Sequence, residues 1–216
     1  MPTDTALRHL VAATATALGP EAPTLCTPWD VRELVAHLVV RESRPDALPG
    51  IGLDVPALKR HTAGVQASLA ALPFEELVAR FASGPPRWWP TRLPAIGEPA
   101  NTAELAIHHE DMVRAQPGWA PTELDRRTQL VLWRTLTTVG RLHYRSAPVG
   151  VVAVAEGEVH GRVALRGPRP GGGTVVLRGT PLELILHAFG RTGVARLRAE
   201  GTDADIEALT GHTRAA

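Results

Sequence analysis

Cysteine is almost absent from the sequence. Cys26 is the only one, so the chain cannot form an intramolecular disulfide, which favours a reducing compartment. No run of apolar residues approaches the roughly 18 that a membrane-spanning helix needs. The N-terminus, with Asp4 close to its start, also lacks the pattern of a secretory signal peptide. We therefore expect a cytoplasmic protein that does not bind a membrane.

A surplus of charge is missing as well. The 23 lysines and arginines are balanced by 22 aspartates and glutamates, which leaves a net charge of +1 at pH 7. Recognition of nucleic acid or of an anionic membrane by charge needs a basic surplus, so neither partner is expected. The 44% of hydrophobic residues is typical of a globular protein, and 216 residues suffice for one large domain or a large and a small one.

Helical spacing of apolar residues dominates the first two thirds of the chain. The segments with this spacing are 3–18, 27–44, 55–71, a shorter one after Pro73, 101–111 and 123–144. Thr27-Pro28-Trp29-Asp30 predicts a helix start, with Thr27 as the cap. The segment before Asn101, up to Pro99, is expected to be extended. These patterns predict at least four long helices and a short one.

The pattern changes at Pro148. Runs at 149–154, 159–165, 174–177 and 194–199 read as strands, and the loop 167–173 as a hairpin connection. Thr180-Pro181-Leu182-Glu183 predicts a further helix start, and 203–209 a short terminal helix. We therefore expect an α+β protein with a helical domain over 1–147 and a small α+β domain over 148–216.

The pattern richest in chemistry is the pair Glu104 and His108 on one predicted helix. Residues at i and i+4 share a helix face, so this carboxylate and this imidazole can bind one divalent ion. His37, on an earlier helix, can complete a His2Glu set. Three protein ligands with an open position are typical of catalytic zinc sites, and nickel or iron can use the same ligands.

Other interpretations of these residues stay open on the sequence alone. Asn101 with Glu104 forms a capping box, which would explain Glu104 without a metal. His108 and His109 can be solvated, and His37 can lie at the edge of the core. Asp111, three residues beyond His108, can orient the imidazole from outside the ligand set or simply face solvent.

The motifs resemble the mycothiol-dependent maleylpyruvate isomerase family, and most closely an actinobacterial subgroup described only as metal-binding. The residues that carry the resemblance are Thr24-x-Cys26-x-x-Trp29-x-x-x-x-Leu34-x-x-His37-Leu38 and Glu104-x-x-x-His108-x-x-Asp111. The resemblance implies a DinB-like four-helix metal-binding bundle followed by a small α+β domain. It also implies metal ligation by His37, Glu104 and His108. His61 is a rival ligand, because other DinB-like proteins use three histidines.

The resemblance also implies a thiol partner. In characterised members a thiol cofactor approaches the open metal position, so mycothiol and a small-molecule substrate are the expected partners. Three arginines are candidates to bind a carboxylate or sugar, namely Arg41, Arg87 and Arg114. The function predicted is that of a divalent-metal protein, resembling metal- and thiol-dependent isomerases or transferases. The alternatives are a non-catalytic metal-binding module, for sensing, storage or partner binding, and a metal that only fastens helices together.

Two further features are predicted to be structural. Trp88 and Trp89 can line a pocket near the metal, but such pairs more often anchor a proline-rich turn to the core. Cys26, in an apolar setting before a helix, is expected to be buried and inert.

Overall fold

The computed structural model describes residues 3–86 and 94–215. Its helices are α1 (Thr3–Leu18), α2 (Val31–Ser43), α3 (Pro49–Gly52), α4 (Pro56–Ala70), α5 (Phe74–Ala82), α6 (Pro94–Val113), α7 (Arg126–His143), α8 (Pro181–Ala188) and α9 (Asp203–Ala215). Its strands are β1 (Gly150–Ala155), β2 (Gly161–Arg166), β3 (Thr174–Gly179) and β4 (Arg198–Glu200). This confirms the α+β class.

Two compact units divide the chain, Met1–Pro121 and Thr122–Ala216. The division lies ahead of α7, whereas the change of sequence pattern at Pro148 places a boundary after it. The reason is that α7 packs within the C-terminal unit. Leu136 and Tyr144 share a core with β1, β2, β3 and α8. An amphipathic helix carries no local signal for which core will cover its apolar stripe, so the sequence pattern does not indicate this partner.

The start of α2 is fixed by a capping box. The Asp30 carboxylate accepts a hydrogen bond from the backbone N–H of Glu33 at 2.9 Å, and the Glu33 carboxylate accepts one from the backbone N–H of Asp30 at 3.2 Å. The prediction that Thr27 caps this helix is therefore wrong, because the helix begins at Val31 and residues 27–30 precede it. The reciprocal pair Asp30–Glu33 satisfies the backbone donors that Thr27 is too far away to reach.

The helix that carries Glu104 and His108 is longer than its sequence signals indicate. Helix α6 begins at Pro94, so the prediction of an extended segment up to Pro99 is wrong for residues 94–99. Asn101 lies inside this helix and is fully buried, so it is not an N-terminal cap. The capping interpretation of Glu104 is thereby removed, since a capping box needs its first residue at the helix start.

The C-terminal unit is built on a four-stranded mixed sheet with strand order β2-β1-β3-β4. β1 pairs antiparallel with β2 and parallel with β3, and β3 pairs antiparallel with β4. The loop 167–173 therefore crosses from one side of β1 to the other, and its interpretation as a hairpin connection is wrong. Parallel neighbours require such a crossover. The helix start at Thr180 is confirmed, because its hydroxyl accepts a hydrogen bond from the Glu183 backbone.

Within the described residues, no helix combines the length and hydrophobicity needed to cross a bilayer.

A buried histidine in the C-terminal unit makes its stability depend on pH. The Tyr144 hydroxyl lies 2.7 Å from Nδ1 of His187, which is 6% exposed. Burial lowers the pKa of His187 to about 4, whereas an unfolded histidine titrates near 6.5. Between these values the unfolded chain binds more protons, so this contribution is complete above about pH 6.5 and is lost as the pH falls towards 4.

We expect His187→Gln to remove this contribution. Between pH 7 and pH 5 the free energy of unfolding should fall by about 2 kcal/mol more in the wild type than in the variant. Urea denaturation at both pH values measures the two decreases. Tyr144→Phe is the matched control, because it removes the hydroxyl and keeps the imidazole. An equal acid-induced loss in wild type and His187→Gln would contradict the assignment.

Candidate metal site

The segment before α2 forms a compact turn that is tied to the end of α6. The backbone N–H of Leu25 donates to the backbone carbonyl of Asp111 at 3.0 Å. Within the turn, the Thr24 hydroxyl donates to the carbonyl of Trp29 at 2.7 Å and accepts from the backbone N–H of Cys26 at 3.1 Å. Thr24, Cys26 and Trp29 of the first motif therefore belong to one local turn. Thr24 closes the turn, and the turn presents Cys26 and Trp29.

Helix α2 supplies His37 from a buried face. The His37 ring lies against Trp29, with ring centroids 4.8 Å apart. The nearby Gln66 side chain of α4 donates from its amide nitrogen to the backbone carbonyl of Glu33 at 3.2 Å. The contact with Trp29 limits the orientations of the imidazole.

Three polar side chains of helix α6 contact one another in sequence, namely Glu104, His108 and Asp111. Nε2 of His108 lies 3.5 Å from Oε2 of Glu104, and Nδ1 of His108 lies 2.9 Å from Oδ2 of Asp111. Because a carboxylate only accepts, the Nδ1–H donates to Asp111, which leaves Nε2 on the side of Glu104. The spacing prediction for Glu104 and His108 and the orienting contact considered for Asp111 both correspond to contacts in the structure.

His108 contacts each of the other two predicted ligands. The rings of His37 and His108 meet edge to face with centroids 5.5 Å apart, and Glu104 lies beside His108. The side chain of His108 is 10% exposed and that of Glu104 is 31% exposed. The site therefore opens to solvent on its Glu104 side, which is where a small molecule can approach.

The ionisation of these groups suits a cation. Burial, and then the charge of His108, lowers the pKa of His37 to about 4, so its ring is neutral at pH 7. Burial would raise the pKa of Glu104, but the hydrogen bond from His108 and the charge of Arg41 outweigh it and lower the pKa to about 2. Burial would lower the pKa of His108, but Asp111, Cys26 and Glu104 together raise it well above its usual range. The surroundings of His108 therefore stabilise positive charge.

The chemistry of this donor set fits a divalent ion. Two imidazole nitrogens and one carboxylate oxygen are the ligands of open zinc sites. His108 donates from its other nitrogen to the Asp111 carboxylate, which is the outer arrangement that metal-binding histidines usually have. A metal would replace the proton on Nε2 of His108, so its binding would release a proton.

A second arrangement uses the other face of His108. In the part of the chain that the structure describes, one group of three metal-ligating side chains has all its ligand atoms within 4.8 Å of one another, namely Cys26, His108 and Asp111. The Cys26 thiol donates to Oδ2 of Asp111 at 3.1 Å and lies 3.8 Å from Nδ1 of His108. A neutral imidazole has one lone pair. His108 can therefore serve an ion through Nε2 or through Nδ1, and the two sets compete.

The remaining residues of the predicted cluster lie elsewhere. His109 is buried and its Nε2 lies 3.0 Å from the Thr14 hydroxyl of α1, and Glu110 pairs with Arg114. The alternative that His108 and His109 are solvated is wrong, because both are buried and His109 lies against α1. His61, the rival ligand, is half-exposed and bonds to Asp46 at 2.8 Å.

The three candidate arginines are separated by the structure. Arg41 lies beside the site, with Nε 3.5 Å from Oε2 of Glu104. Arg114 is buried, pairs with Glu110 and stacks over Trp119. Arg87, like Trp88 and Trp89, lies outside the described residues. Arg41 is thus the one of the two described candidates that contacts a predicted ligand.

Two site residues were missed by the sequence reasoning. Cys26 was expected to be buried and inert, but it is partly exposed and hydrogen-bonds to Asp111. Its position in the Thr24–Trp29 motif was a usable signal. Asn101 was interpreted as a cap, whereas its Oδ1 accepts from Nη1 of Arg41 at 3.1 Å. No local signal indicates that contact, because the two residues are far apart in sequence.

The comparisons with known proteins show the fold. No protein-family model matches the chain, and no curated protein matches it in sequence. The chain is similar to a solved structure described as the mycothiol-dependent maleylpyruvate isomerase, with a TM-score of 0.53 and 16% sequence identity over 93% of each chain. At this identity the match shows that the two proteins share a fold.

Proposed function

We propose that the chain is a divalent-metal protein whose ligands are His37, Glu104 and His108, with a position left open to a thiol or water. The observation that carries the proposal is the two-sided environment of His108. Asp111 holds Nδ1 at 2.9 Å, which leaves Nε2 towards Glu104, with the His37 ring alongside. Zinc suits this donor set best, and nickel or iron can occupy it.

The proposed activity is a metal- and thiol-dependent isomerisation or transfer on a small electrophile or organic acid, with mycothiol as the thiol. It is supported by the motifs of the sequence, by the shared fold with a mycothiol-dependent maleylpyruvate isomerase, and by the opening on the Glu104 side. A bound divalent ion lowers the pKa of a thiol and favours the thiolate. The DinB-like four-helix layout of the N-terminal part stays a prediction of the resemblance.

The chain's own residues have distinct roles in this proposal. Asp111 orients the His108 ring, and Trp29 packs against the His37 ring. The hydrogen bond from His108, and then the charge of Arg41, lower the pKa of Glu104 at the mouth of the site. The surrounding buried side chains of α2 and α6 limit water, so the site offers one open direction.

A second candidate function is a non-catalytic metal-binding module. It is favoured by the alternative set Cys26, His108 and Asp111, because a thiolate ligand suits tightly held soft ions better than an exchangeable catalytic position. In that case a small thiol would have no open position to occupy.

Calorimetric titration with mycothiol, with and without zinc, separates the two functions. The thiol-dependent function predicts mycothiol binding to the zinc-loaded protein and at least tenfold weaker binding to the metal-free protein. The matched control is Glu104→Gln, which should reduce zinc binding and mycothiol binding together. Equal binding, or none, in both states of the wild type would favour the non-catalytic module.

A further inference from the structure

We propose that Arg41 and Asn101 form a carboxylate-binding subsite beside the metal position. The thiol or substrate that this protein takes would then carry a carboxylate. The inference rests on the proposed function for the identity of the neighbouring site, and its own evidence is the pair Arg41–Asn101.

The guanidinium of Arg41 contacts neighbouring side chains through two of its three nitrogens. Nη1 donates to Oδ1 of Asn101 at 3.1 Å, and Nε lies 3.5 Å from Oε2 of Glu104. The Nη2 end has no hydrogen-bond partner among residues 3–86 and 94–215. The Arg41 side chain is 19% exposed. This guanidinium is oriented by the Asn101 amide and reaches solvent. A guanidinium in such a position is suited to bind a carboxylate through two parallel hydrogen bonds.

Asn101 is a second, independent indication of a ligand. It is fully buried inside α6, and its Nδ2 has no partner in the described part of the chain. An unsatisfied buried donor costs stability, and asparagine is a poor helix former, so an apolar residue would suit this position better if packing were its only role. Because Nδ2 belongs to the amide group that holds Arg41, a ligand oxygen bound there would supply the missing acceptor.

The charges select the class of ligand. Glu104 lies against Arg41, so in the absence of a metal the two charges largely cancel. Once Glu104 shares its charge with a divalent ion, Arg41 has a surplus for an anion. A singly charged carboxylate is favoured over a phosphate dianion, because the second negative charge would face Glu104 at short range.

The test compares two thiols that differ only in charge, 3-mercaptopropionate and 3-mercaptopropionamide. Calorimetry on the zinc-loaded wild type should show a preference of roughly 10–100-fold for the carboxylate, the effect of charge-assisted hydrogen bonds. At saturating zinc, Arg41→Gln should abolish the preference by weakening binding of the carboxylate alone. Asn101→Asp should also abolish it, because the new carboxylate would occupy Arg41.

Equal loss of affinity for both thiols in Arg41→Gln, or an unchanged preference, would overturn the inference. The first result would mean that Arg41 only positions Glu104. Propionate and propionamide, which have no thiol, repeat the comparison without a metal contact. In the metal-free Glu104→Gln variant no carboxylate offsets the charge of Arg41. An Arg41-dependent preference for propionate in that variant would support the subsite even if the metal proposal fails. Tighter binding of inorganic phosphate than of propionate would overturn the choice of a carboxylate.

Discussion

His37→Ala is expected to lower the zinc affinity of the protein by more than the roughly 10–100-fold that loss of an outer hydrogen-bond partner costs. Cys26→Ala is expected to change it by less than tenfold. The reason is that His37 is one of three proposed ligands, whereas Cys26 lies outside that set and contacts Asp111 and His108. Competition with a chromophoric chelator gives the affinity, and elemental analysis gives the metal content.

The choice of variants follows from the geometry. His108 belongs to both possible ligand sets, so His108→Ala abolishes binding in either case and cannot discriminate between them. Asp111→Asn is expected to have the intermediate effect of about 10–100-fold, because the amide still reaches Nδ1 but accepts its proton less strongly. His37 and Cys26 each belong to one set only, and they form the discriminating pair.

The opposite ranking would show that the ion uses Cys26, His108 and Asp111. Cobalt substitution provides a separate readout, because a thiolate ligand adds a strong near-ultraviolet charge-transfer band. That band should be absent from the wild type in our assignment. Its presence, and its loss in Cys26→Ala, would place the metal on Nδ1 of His108 and contradict the proposed site.

The second large effect concerns the stability of the N-terminal unit. Glu42→Ala is expected to lower the free energy of unfolding by about 3–5 kcal/mol, because it leaves a buried charge without its partner. Arg8 of α1 and Glu42 of α2 form two hydrogen bonds and are 6% and 4% exposed. Arg8 also donates to the carbonyl of Phe81 and stacks on its ring, so this pair joins α1, α2 and α5.

Two controls separate the burial effect from a general effect of mutation. The double variant Arg8→Met with Glu42→Leu removes both charges, and we expect it to recover most of the lost free energy. Asp54→Ala breaks the exposed pair with Lys59 and should leave stability unchanged. Urea denaturation followed by circular dichroism measures all three. A double variant less stable than Glu42→Ala would contradict the argument.

The sequence determined those features that depend on neighbours along the chain. The i,i+4 spacing of Glu104 and His108 fixes them on one face of any helix, and the i,i+3 position of Asp111 places it next to His108. Apolar alternation predicted the strands of the C-terminal unit, and Thr180-Pro181 predicted the start of α8. These are local consequences of helix and strand geometry, and the structure contains them, except that the strand predicted over 194–199 is limited to Arg198–Glu200.

Only the tertiary structure decided which distant residues meet. Helix α6 begins at Pro94, so Asn101 lies inside the helix and does not cap it. The Asn101 side chain instead bonds to Arg41. The tertiary structure also brought His37 to His108, and it tied Cys26 to Asp111. The physical reason is that burial between packed helices overrides local capping signals and sets side-chain contacts over long sequence separations. Helix spacing determined that Glu104 and His108 share one face of α6, and packing determined what surrounds them.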